Sequence, residues 1–138
     1  MKKFLAAIFA VATLALCLTL SGCFTKYRSH YSSSTMITTN TPDSATVSFD
    51  SFKGTYVIKF NNNGSDEMYI SYDATLGEGN IKVYYDFNDE KLDLFEINTN
   101  GSVEGQTQSF TGGKIIYIVI ESDGKCNDGS FSFDLKKS

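Results

Sequence analysis

The chain contains no tryptophan, one proline, one histidine and three cysteines in 138 residues. Each shortage removes a class of function. The single His30 has no second His or Cys near it, so a Ser-His-Asp or Cys-His arrangement and a tetrahedral metal site all lack the residues they need. Twelve Lys and Arg stand against sixteen Asp and Glu, with no basic run, a balance that fits a phosphate backbone poorly and excludes nucleic acid as the expected partner. No glycine-rich loop ends in Lys-Ser or Lys-Thr, so there is no phosphate cradle. We therefore expect a protein that is not an enzyme. Any surface that stacks on a sugar has to be built from the eight tyrosines, because the best stacking residue is missing.

The chain does have one long hydrophobic run. Lys2 and Lys3 precede Phe4 to Leu20, which is almost entirely apolar, and Leu20-Ser21-Gly22-Cys23 closes it. Without Cys23 the run reads as an ordinary signal peptide or a single span at the lower edge of bilayer length. With Cys23 it resembles the lipobox of bacterial lipoproteins. That resemblance implies a signal peptide over residues 1–22 and processing at Leu20, Ser21 and Gly22. It also implies a diacylglycerol on the Cys23 sulfur and an acyl chain on the new amino terminus. The expected location is the cell membrane, facing outside the cytoplasm, with no cofactor beyond the lipid.

Cleavage would leave 116 residues, enough for one cored domain, with 10 basic residues against 16 acidic ones and a net charge of −6 once Lys2 and Lys3 are gone. Cys126 would be the one free cysteine left, so no intrachain disulfide is expected. It falls in the turn-rich stretch 122–129 and reads as a loop residue.

Residues 23–44 read as the lipidated cysteine followed by a tether. Ten of the 21 residues from Phe24 to Ser44 are Ser or Thr. As a free coil they would span about 25 Å. From 45 to 138 the pattern turns to short runs of period two. They centre on Val47, Ile58, Ile70, Val83, Leu94, Thr107–Phe110, Ile118 and Phe133, and Gly or Asn/Asp clusters separate them. About eight strands with no helical period predict an all-β antiparallel two-sheet sandwich of jelly-roll or Greek-key type. Ile118 and Phe133 are expected in its core.

Tyr56 to Phe60, Gly79-Asn80-Ile81-Lys82-Val83-Tyr84-Tyr85, Gly113 to Val119 and Gly129-Ser130-Phe131-Ser132-Phe133 follow an order that resembles the pre-peptidase C-terminal type of bacterial β-sandwich. Where such relatives carry an Asp-rich stretch this chain has Gly79-Asn80, so their calcium site is not implied. Asp86, Asn88 and Glu90 alternate oxygen side chains in one loop and form a calcium candidate, against the plainer reading of a solvated hairpin. Tyr69, Tyr84 and Tyr117 fall on the opposite parity from the apolar residues of their strands, and are candidate ligand-binding rings. The expectation is a non-catalytic binding or structural module contacting an envelope or surface protein, with carbohydrate binding through those tyrosines as the alternative.

Overall fold

The computed structural model describes residues 27–61, 66–87, 89–111 and 115–138. Leu20, Ser21, Gly22, Cys23 and Asn88 lie outside the described residues. The chain forms β1 (His30–Ser34), β2 (Ile37–Asn40), β3 (Ser44–Asn61), β4 (Glu67–Glu78), β5 (Asn80–Phe87), β6 (Glu90–Asn98), β7 (Gly101–Gln106), β8 (Phe110–Thr111), β9 (Ile115–Ser122) and β10 (Cys126–Lys137). All their pairings are antiparallel.

These strands are halves of longer ones. β4 runs into β5 through Gly79, β6 into β7 through Thr99-Asn100, and β9 into β10 through residues 123–125, while β3 carries Gly54 in its middle. Gly54, Gly79, Asn100 and Gly124 all have positive φ, between 57° and 123°. Glycine adopts such angles without penalty and Asn tolerates them, so the backbone turns where these residues occur. β3 changes partner at the turn, leaving β10 at Phe52↔Cys126 and taking up β9 at Thr55↔Glu121. The result is one sheet folded along a corner into a two-layer sandwich. β7, β4, β10 and the first half of β3 form one layer; the second half of β3, β9, β5 and β6 form the other.

Between the layers lie the inward residues of the period-two runs. Phe95 of β6 stacks on Tyr72 of β4 at 4.9 Å and on Phe131 and Phe133 of β10 at 6.3 Å. Ile118 and Phe133, the two expected core residues, are fully buried. The sandwich therefore stands on apolar packing.

Three local expectations are corrected. Residues 30–34 and 37–40, read as tether, are strands along β3, from His30↔Thr55 to Ser34↔Ser51 and from Ile37↔Ser48 to Asn40↔Ala45. Their side chains are exposed, so no apolar alternation marked them. The sixth strand is not Thr107–Phe110: Gly101–Gln106 pairs with β4 instead, and of that run only Phe110 is strand, as the first residue of β8. Cys126 is not a loop residue but a buried one at the corner. Burial, with a smaller push from Asp123, raises its thiol above the usual range.

Candidate functional site

Register alone assembles the outer face of the second layer. Opposite residues of adjacent strands share a face, so Thr55, Glu121, Lys82 and Glu96 form one row across β3, β9, β5 and β6. Val57, Val119, Tyr84 and Asp93 form the next. Lys59, Tyr117, Asp86 and Lys91 form the third. Tyr84 and Tyr117 are thus diagonal neighbours on adjacent strands. Tyr69 is not with them: it pairs with Lys136 on the outer face of the other layer. The structure brings two of the three candidate tyrosines together.

It also adds a ring that sequence reading assigned to the tether. Tyr27 packs edge-on against Tyr117, with ring centres 5.3 Å apart, and its hydroxyl donates to Asp86 Oδ2 at 2.5 Å. Asp86 is the single buried charged side chain among the described residues, 3 % exposed. As a calcium ligand it has no partner in Glu90: Glu90 stands opposite Phe87, whose ring packs inward on Phe110, so the two carboxylates leave the hairpin on opposite faces. No group of three or more His, Cys, Asp or Glu side chains able to hold a metal occurs among the described residues. His30 is exposed at the start of β1.

Tyr84 is the centre of the polar part of this face. Its hydroxyl donates to Glu121 Oε2 at 2.6 Å, and Lys91 Nζ lies 4.0 Å from its ring centre. A bulge in the pairing of β5 with β6 between Val83 and Tyr84 leaves Leu94 without a direct partner. On that side a depression of about 150 Å³ opens, lined by Lys82, Asp93, Leu94 and Glu96. On the other side a depression of about 320 Å³ is lined by Asn80, Lys82, Tyr84, Glu121, Ser122 and Asp123. Asn80 Oδ1 there is the one buried side-chain atom among the described residues with no hydrogen-bond partner.

The hydrogen bond to Glu121, then burial, then the charges of Glu121 and Asp93 push the Tyr84 hydroxyl up to about 12. It stays a neutral donor through the whole physiological range. Below the ordinary value of 10 the folded and unfolded chains both keep this proton, and the stabilising contact is complete. Between 10 and about 12 the unfolded chain loses the proton first, so stability falls as pH rises. Glu121→Gln removes the charge that holds the proton, and Tyr84 should then titrate closer to 10 in NMR of the tyrosine Cζ carbons. An unchanged titration would mean that Glu121 is not the cause.

No protein-family model and no curated protein sequence matches the chain. Solved structures do. The carbohydrate-binding module TmCBM61, in complex with beta-1,4-galactotriose, is similar with a TM-score of 0.51 at 13% identity, over 79% of this chain and 88% of its own. A module from Clostridium stercorarium in complex with cellobiose matches with a TM-score of 0.40 at 12% identity, over 82% and 89% of the two chains. The pre-peptidase C-terminal domain of collagenase from Bacillus anthracis matches with a TM-score of 0.41 at 18% identity, over 60% and 77%. At 13% identity the likeness to TmCBM61 is one of fold alone, and it agrees with the antiparallel β-sandwich seen here.

Proposed function

We propose that the protein is a non-catalytic glycan-binding module held at a membrane by lipid on Cys23. One observation carries the glycan reading. A partly exposed tyrosine, its hydroxyl already oriented by Glu121, stands beside a depression lined by the ammonium of Lys82, the carboxylates of Glu121 and Asp123 and the hydroxyl of Ser122. A sugar presents the complementary mixture, an apolar ring face edged with hydroxyls that both donate and accept. The sandwich of TmCBM61, solved with a galactotriose, lends further support. The contact with an envelope protein expected from the sequence has no comparable feature behind it, so the carbohydrate alternative is the better supported reading.

The absence of tryptophan makes the test direct, since tyrosine alone reports by fluorescence. Galactan and cellulose oligosaccharides should give a saturable change with the mature chain and no released sugar. Tyr84→Ala should weaken binding by about tenfold or more, equivalent to about 1.4 kcal/mol. Tyr69→Ala, on the other outer face, should leave it unchanged. Equal losses for both variants would refute the site. Anchoring is tested separately: Cys23→Ala should abolish incorporation of labelled fatty acid, and persistent labelling would refute the lipid attachment.

A further inference from the structure

The segment that follows Cys23 is joined to the domain almost at once. β1 and β2 pair along β3, Val57 N–H donates to Ser29 Oγ at 2.8 Å, and Tyr27 is seated on Tyr117 and Asp86. Tyr27 is four residues from Cys23 in the chain. Four fully extended residues reach about 14 Å at most. A lipid on Cys23 therefore brings one end of the second layer's outer face to the bilayer, where a free tether of 21 residues would let the domain roam over about 25 Å.

The chemistry of that end suits a lipid surface. In the row Lys59, Tyr117, Asp86 and Lys91 the one acid is buried under the Tyr27 hydroxyl. The charges left exposed in the row are Lys59 and Lys91, and the exposed Arg28 follows Tyr27. Ile115, 36 % exposed, begins β9 two residues before Tyr117. Tyrosine rings at the level of the headgroups, with cations beside them, are what an anionic phospholipid surface accommodates. The exposed Asp89 and Glu90 directly precede Lys91 in the chain, so attraction of this end to an anionic surface comes from Lys59, Lys91 and Arg28 together.

We propose that, in the lipidated protein, the Tyr27–Tyr117–Lys59–Lys91 end of this face docks on the phospholipid headgroups of the membrane that holds the anchor. The orientation rests on the attachment of lipid at Cys23. Tyr84 lies two residues along β5 from Asp86, so a glycan held there sits close to the bilayer.

The test uses the full-length lipoprotein in vesicles of mixed anionic and zwitterionic phospholipid that contain a gadolinium-chelate lipid. A spin label is placed through Lys59→Cys, or through Glu104→Cys on the outer face of the other layer, where residue 104 opposes Asp73. Incorporation of labelled fatty acid at Cys23 is measured on the same preparations. Relaxation enhancement several-fold greater at position 59 than at 104 supports docking. Equal enhancement at the two positions, with lipid present on Cys23, overturns the docking and leaves the anchor standing. Absence of lipid on Cys23 overturns the anchor and the docking with it. Tyr27→Ala should bring the ratio of the two enhancements towards one without altering the circular dichroism of the domain; an unaltered ratio overturns the role given to Tyr27.

Discussion

Ile118→Asp is expected to leave no folded domain. Ile118 sits in β9, the strand between β3 and β5, opposite Ile58 on one side and Tyr85 on the other, and it is 0 % exposed. Truncating a buried isoleucine costs about 2–5 kcal/mol. Placing a carboxylate there adds several more, since the surrounding core residues are apolar and supply no cation. Small domains have only about 5–15 kcal/mol to lose. Circular dichroism and limited proteolysis should find an unstructured, rapidly digested chain. Ile115→Asp, on the same strand but exposed, should shift stability by about 1 kcal/mol or less. A folded, protease-resistant Ile118→Asp would refute the central position of β9.

The second large effect is expected at the corner. Gly79 has φ +115°, and a Cβ built on it would lie 2.5 Å from Cys126 Sγ and 2.9 Å from Cys126 Cβ. Gly79→Ala thus meets backbone strain and overpacking together, each worth about 1–3 kcal/mol. The melting temperature should fall by about 10 °C or more. Adding Cys126→Ala removes the closest atom of the clash but not the strain. The double variant should therefore lose less than the two single losses added together. Strict additivity would show that Cys126 is not what the new methyl group strikes. A Gly79→Ala protein that melts with the parent would show that the chain does not turn there as described.

Much of this was legible along the chain. Val47, Phe49, Phe60, Ile81, Val83, Phe131 and Phe133 alternate with polar or amphipathic neighbours, and all are buried. Period two is a local signal, set by side chains that leave a strand on alternate faces. The parity of Tyr84 and Tyr117 was legible for the same reason, and both stand on the outer face. Tyr69 carries the identical signal on the other layer, because parity says which side of a strand a residue takes and not which layer the strand joins. Strands β1 and β2 left no trace in the pattern, since they pair along β3 with exposed side chains and no apolar alternation, and Tyr31 of β1 alone packs its ring on Phe52 and Tyr56.

By itself, then, the sequence determined a β-sandwich core with tyrosines on its polar parity, because hydrophobic alternation acts between near neighbours. Only the tertiary structure decided which tyrosines meet. It bent four long strands at Gly54, Gly79, Asn100 and Gly124 and laid Tyr27 on Tyr117. Those relations join residues far apart in the chain, and they depend on which edges pair when the sheet folds over, a choice made by the packing of the whole core.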